Sequence, residues 1–169
     1  MNAMQMMFME EFLDTTTDIS PWTFPVLPTH KQTPTIVERA VYYQGLYLKY
    51  VRPDLITHDI CLLAVNQCGA ALEFVPRHFQ TQEVCEDALN NEGTALQYVY
   101  EQNEHLCLLA IESDSSALEY VENQTYEMCL KAVRDDWRNL EVVKKEFKTL
   151  ELQQLSFEQS SESVKYFAL

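Results

Sequence analysis

One sixteen-residue pattern occurs five times in this chain, without a gap inside any copy: IVERAVYYQGLYLKYV from Ile36, ICLLAVNQCGAALEFV from Ile60, VCEDALNNEGTALQYV from Val84, LCLLAIESDSSALEYV from Leu106 and MCLKAVRDDWRNLEVV from Met128. The first three starts are evenly spaced, and the last two intervals are two residues shorter. A period this short means one supersecondary unit used repeatedly, each copy too small to bury an apolar face without a neighbour.

The first half of each copy reads as an α-helix. Its opening column is always apolar: Ile36, Ile60, Val84, Leu106, Met128. Val37 and then Cys61, Cys85, Cys107 and Cys129 come next, and three residues later alanine at 40, 64, 88, 110 and 132, followed by Val41, Val65, Leu89, Ile111 and Val133. Offsets of three and four place these side chains on one helical face. Alanine marks where two helices approach closely. Thr33, Thr57, Thr81, Asn103 and Thr125 precede the helices and are good N-cap residues. Pro34 suits the first helical position, and Asp59, Glu83, Glu104 and Glu127 suit the first turn.

The second half reads as a shorter helix. Leu48, Leu72, Leu96, Leu118 and Leu140 lie three residues before Val51, Val75, Val99, Val121 and Val143. Between them stand Tyr50, Phe74, Tyr98, Tyr120 and Val142, directed partly toward a neighbouring copy. Gly45, Gly69 and Gly93 divide the two halves, where a left-handed C-cap is expected. Ser115 and Trp137 replace glycine in the last two copies, so the left-handed residue there is expected at Asp114 and Asp136. Pro53 and Pro76 close the first two copies. The change of period falls wholly in the linker after the valine.

The expected fold is therefore all-α, a solenoid-like stack of about five helical hairpins, each of roughly 22–24 residues, a length typical of stacked repeats. Three segments follow: an extended N-terminal arm over 1–33, the hairpins over 34–144, and a C-terminal capping helix and tail over 145–169. SPWTFPVLP is proline-punctuated and reads as extended, either capping the first hairpin or docking into a partner. MNAMQMMFMEEFL reads as a Met-rich amphipathic helix. Leu140, Val143, Phe147 and Leu150 keep a helical spacing that predicts one long final helix, after which Tyr166, Phe167 and Leu169 form an apolar tail.

Charge narrows the partners. The net formal charge is −14. No Lys or Arg lies between Arg77 and Lys131, an interval holding eleven carboxylates from Glu83 to Glu127. Such a surface repels phosphate, which argues against direct nucleic-acid binding, and attracts a basic protein surface. The opening residues lack a basic n-region, and no run of eighteen apolar residues predicts a membrane span. Five cysteines, an odd number, fit free thiols in an intracellular, reducing compartment.

No catalytic, cofactor-binding or metal-binding residue is predicted. Structural zinc sites want paired ligands such as Cys-x-x-Cys, and none occurs. Cys61, Cys85, Cys107 and Cys129 read as small core hydrophobes. Cys68 stands outside that column, near the turn, and is the most exposed thiol expected. His30, His58, His78 and His105 form no metal-binding helix motif. A Cys–His pair is the enzyme alternative. Glycine-rich phosphate loops and Gly-x-Ser-x-Gly are absent. The aromatic column Tyr50, Phe74, Tyr98, Tyr120 could stack bases, but without basic neighbours core packing is the better reading.

The pattern, apolar-Cys-x-x-Ala-Val followed by Gly-x-x-Leu-x-Tyr-Val-Pro and a Thr-capped restart, resembles a family of short helical repeats of unknown function. That family occurs in giant viruses, protists, algae and some bacteria. The resemblance covers roughly 34–144, is best at CLLAVNQCGAALEFVP and weakest in the first and last copies, where Val37 replaces Cys and Trp137 replaces Gly. It implies a non-catalytic interaction role and, from the family's distribution, a minor structural component of a large assembly such as a virion. The expected function is a protein–protein interaction scaffold or adaptor. The alternatives are an acidic regulator that mimics nucleic-acid charge, and an enzyme using a cysteine or histidine between repeats.

Overall fold

The computed structural model describes residues 21–167. The expected Met-rich helix and Leu169 lie outside the described residues. All regular structure within them is helical. Among the described residues six α-helices of equal length recur: α1 (Pro34–Tyr43), α2 (His58–Gln67), α3 (Gln82–Asn91), α4 (Glu104–Ser113), α5 (Tyr126–Asp135) and α6 (Leu150–Gln159). Each is followed, after one residue, by a short 3₁₀ helix: Gly45–Tyr50, Gly69–Phe74, Gly93–Tyr98, Ser115–Tyr120, Trp137–Glu141 and Ser161–Tyr166. An α-helix and its 3₁₀ helix make one unit.

The N-caps are as the sequence predicts. Thr33, Thr57, Thr81, Asn103 and Thr125 each accept a hydrogen bond from the backbone N–H three residues on, at 2.9–3.4 Å. Thr149 does the same for α6, with Leu152 N at 3.3 Å. The second half of a unit is 3₁₀, with three residues per turn, and this stacks the buried glycine, leucine and valine positions on one face. Gly69, Leu72 and Val75 are all buried, and i→i+3 bonds such as Ala71 N to Cys68 O, 2.9 Å, and Val75 N to Leu72 O, 3.1 Å, hold the turns.

The core runs the length of the described chain. Cys61, Ala64, Val65, Leu72 and Val75, with their counterparts in the other units, form one continuous apolar cluster. Consecutive α-helices pack against each other, and each 3₁₀ helix packs on its own α-helix and on the adjacent units.

Four expectations need correction. Among the described residues no glycine and no other residue has positive φ, so the left-handed caps do not exist. The residues between the two helices, Gln44, Cys68, Glu92, Asp114, Asp136 and Ser160, are extended, with φ from −139° to −157°. Asp114 and Asp136 are there as caps of the 3₁₀ helix: each accepts from the N–H two residues on, at 2.9 Å. The glycines are there for space. A Cβ on Gly45, Gly69 or Gly93 would lie 2.2, 2.5 or 2.3 Å from the carbonyl oxygen of Ala64, Ala88 or Ala110 in the next unit. Glycine and alanine thus form one contact between neighbouring units. Ser115 takes the glycine position in the α4 unit and is also buried.

The long final helix is likewise absent. Leu140 and Val143 are buried at the end of the α5 unit, Phe147 ends a separate 3₁₀ turn (Lys145–Phe147), and Leu150 begins α6 with 84% of its surface exposed. Residues 149–167 repeat the unit instead. Thr149, Leu152, Ser156, Ser161, Val164 and Tyr166 stand where Thr125, Met128, Ala132, Trp137, Leu140 and Val142 stand in the preceding unit.

The described part of the N-terminal arm is not extended either. Pro21–Val26 and Thr29–Lys31 are 3₁₀ turns. Phe24 and Leu27 hold the places of Leu48 and Val51 one repeat period earlier and are buried as those are. This segment therefore supplies the second half of a unit ahead of α1.

Linker length follows the sequence reading. The longer spacings contain an additional 3₁₀ turn, Pro53–Leu55, Arg77–Phe79 or Lys145–Phe147, and the shorter ones contain none.

Candidate interaction surface

A polar column missed in the sequence reading connects the units. Gln32, Gln80, Gln102 and Gln124 each immediately precede an N-cap residue. The Gln102 side-chain amide donates to Tyr120 O at 2.9 Å, and its oxygen accepts from Glu122 N at 3.0 Å. Gln124 repeats this with Val142 O (3.0 Å) and Lys144 N (2.9 Å). Gln80 does so with Tyr98 O (3.0 Å) and Tyr100 N (3.1 Å), and Gln32 with Tyr50 O and Arg52 N, both 2.8 Å. Each glutamine therefore bonds the backbone where the next 3₁₀ helix ends, pairing a part-buried carbonyl that would otherwise lack a donor. Lys148 Nζ replaces the amide in the α6 unit, lying 3.4 Å from Tyr166 O. Ile56 interrupts the column. The signal was available as Gln at 80, 102 and 124 on the repeat period. Its partners, however, belong to the following unit, and only packing brings them near.

The opposite ends of the α-helices are joined in the same manner. Asn91 Nδ2 donates to Val65 O and Asn66 O at 2.9 and 3.0 Å, and Gln159 Nε2 to Val133 O and Arg134 O at 2.8 and 3.1 Å. These last-turn carbonyls have no partner within their own helix.

The cysteine column is buried. Cys61, Cys85, Cys107 and Cys129 face the core, and Cys107 and Cys129 Sγ each lie 3.6 Å from a clamp glutamine oxygen. Burial pushes the Cys61, Cys85 and Cys129 thiols up to about 11, and raises Cys107 as well. Cys68 is the one cysteine not fully buried, at the junction of α2 and its 3₁₀ helix.

The histidines are dispersed. His58 Nε2 is 3.2 Å from Thr81 Oγ1, His105 Nε2 is 3.0 Å from Glu86 Oε1, His78 stacks on Phe79 with centroids 4.2 Å apart, and His30 is exposed in the Thr29–Lys31 turn. The hydrogen bond donated by Gln82, then that with His105, holds the Glu86 carboxyl below its usual range. Among the described residues no three His, Cys, Asp or Glu side chains are placed to hold a metal ion, and no helix is long and apolar enough to cross a membrane. The aromatic column is half-buried at Phe74, Tyr98 and Tyr120, packed against the core.

Most of the acidic interval faces solvent. Of its eleven carboxylates, Glu83, Glu101, Glu104, Glu112, Asp114, Glu119, Glu122 and Glu127 are exposed, and Glu86, Asp87 and Glu92 are half-buried. Five of the exposed set, Glu83, Glu101, Glu104, Glu122 and Glu127, lie in linkers or first turns, and so along one edge of the α3, α4 and α5 units. Cations from outside the interval meet it as Arg77 on Glu101 (2.7 Å), Lys131 on Glu112 and Lys144 Nζ on Glu122 O (2.7 Å).

No family model, curated protein or solved structure matches this chain.

Proposed function

We infer that the chain is a non-catalytic scaffold or adaptor: its units stack as a solenoid, and the acidic edge of the α3–α5 units binds a basic surface on another protein. The observation that carries this reading is the division of polar groups. The glutamine, asparagine and alanine-carbonyl positions are consumed in joining one unit to the next, whereas eight carboxylates of the cation-free interval point outward. A surface of one sign raises the association rate with an oppositely charged partner and weakens as salt rises. The buried thiols, held protonated by desolvation, support the reading by offering no ready nucleophile. Membership in a larger assembly is consistent with a stack presenting a long exposed edge.

The test is carbodiimide cross-linking of the full chain in its native source, followed by mapping of the joined residues. Partner lysines should be joined to carboxylates between Glu83 and Glu127, with the yield falling as salt is raised. A lone monomer, or cross-links that avoid this interval, would overturn the scaffold role.

A further inference from the structure

We propose that the groove beside the α3–α4 linker docks a short extended segment of a partner protein that presents phenylalanine or leucine next to a basic residue. This deepens the scaffold reading and rests on it.

The repeat itself defines what is missing at this place. In the longer linkers a 3₁₀ turn ends in an apolar side chain, Leu55, Phe79 or Phe147, half-buried against the core. The α3–α4 linker is two residues shorter. It runs Tyr100, Glu101, Gln102 between buried Val99 and the cap Asn103, with neither the turn nor its side chain. A groove of about 620 Å³ opens there, between this linker and the preceding one. Val99, Tyr100 and Glu101 line one side, Arg77, His78 and Gln80 the other, and buried Cys85 and Leu106 contribute apolar lining. That volume suits one large side chain with flanking backbone. Three of the five linkers between the described α-helices carry such a plug; this linker and the α4–α5 linker carry none.

The rim specifies the neighbour of the plug. Arg77 is bonded to Glu101 at 2.7 Å and lies 5.7 Å from the centre of the Tyr100 ring, so the lining carboxylate is already neutralised from within the groove. Beyond Arg77 the chain has no cation before Lys131, and Glu83 and Glu104 adjoin the lining residues Gln82 and Asn103. These two exposed carboxylates, rather than Glu101, are what complement positive charge on an incoming segment. Gln80 ties both walls together through Tyr98 O and Tyr100 N, which keeps the groove preformed.

The chain's own turn is the probe: the acetylated, amidated hexapeptide Pro-Arg-His-Phe-Gln-Thr, identical to Pro76–Thr81. It is titrated into the isotope-labelled full chain and followed by amide shifts. Docking predicts saturable shifts at Cys85, Val99, Tyr100 and Glu101, at least tenfold weaker binding when the peptide Phe is replaced by Ala, and several-fold weaker binding at low salt when its Arg is replaced by Glu. Replacing Tyr100-Glu101-Gln102 by Pro-Arg-His-Phe-Gln should install the plug and abolish peptide binding. No saturable shifts, or equal binding by the Ala peptide, would overturn the proposal, and neither outcome depends on the grafted variant folding. A grafted variant that folds and still binds the peptide would overturn it too. If the grafted chain keeps its carbodiimide cross-links at Glu83–Glu127, the groove fails and the scaffold reading stands; loss of the scaffold reading would appear as absence of those cross-links in the unaltered chain.

Discussion

A Cβ on Gly69 would sit 2.5 Å from the carbonyl oxygen of Ala88, which belongs to the next unit and accepts the hydrogen bond of Glu92 N at 2.8 Å. The obstacle is backbone, so it cannot swing aside. Gly69→Ala should destabilise by about 1–3 kcal/mol, the range for forcing extra atoms into a packed core. Ser115→Ala, at a position that already accommodates a Cβ, should cost less than about 1 kcal/mol by the same comparison. Urea midpoints for the two variants, at unchanged m-value, decide this.

Gln102 bonds to Tyr120 O and Glu122 N, groups with no other acceptor or donor in the surrounding hydrogen-bond pattern. Gln102→Ala leaves Tyr120 O unpaired at a part-buried contact and frees the exposed Glu122 N–H to water, an expected loss of roughly 1 kcal/mol. The effect is also local. Hydrogen exchange at Glu122 N–H should accelerate well before exchange at Leu89 or Val65, whereas a loss spread evenly over all units would contradict a clamp between two neighbours.

The buried thiols set an alkaline limit. Cys61, Cys85 and Cys129 are held near 11 in the folded chain against an ordinary 9.0, because burial disfavours the thiolate. The folded pKa is the higher one, so the protonated thiols' contribution is complete below about pH 9 and is lost as pH rises toward 11. Over that window each thiol contributes a slope of about 1.4 kcal/mol per pH unit. Urea midpoints should fall between pH 9 and 11, and less steeply in Cys61→Val, a change that copies Val37 in the same column. At pH 8 a thiol reagent should modify Cys68 first, with the other four protected until unfolding. Equal rates for all five would contradict the burial.

Helix starts and the buried columns were legible because each rests on local chemistry. A threonine cap satisfies an N–H three residues away, and alanine, cysteine and valine recur on one α-helical face. The glycines were misread for lack of a neighbour: from sequence alone a glycine after a helix suggests left-handed φ, and only the Ala88 carbonyl reveals that space is what Gly69 provides. The 3₁₀ conformation was hidden because Gly69, Leu72 and Val75, three apart, fit either helix type. The glutamine column was visible but mute, since its partners arrive only with packing. The final unit was concealed by substitution. Ser156 and Phe157 stand where Ala132 and Val133 do, and the chance spacing of Leu140, Val143, Phe147 and Leu150 suggested a longer helix.

That last correction has its own test. Leu140 and Val164 hold equivalent positions in successive units, but Leu140 is fully buried, whereas Val164 is 51% exposed. Phe157 is exposed on the same terminal unit at 49%. Truncating Leu140 leaves a cavity between two units, and Leu140→Ala should cost about 2–5 kcal/mol. Val164→Ala removes atoms that water already reaches, so its cost should stay below about 1 kcal/mol, as for surface substitutions away from special features. If 140–155 were instead one continuous helix, Gly substituted at Lys145 would interrupt it and cost about as much as Gly in a helix interior, roughly 1 kcal/mol. In the observed structure Lys145 begins a linker turn, and Lys145→Gly should leave the urea midpoint nearly unchanged. A large loss at Lys145 with a small one at Leu140 would restore the long helix and remove the sixth unit.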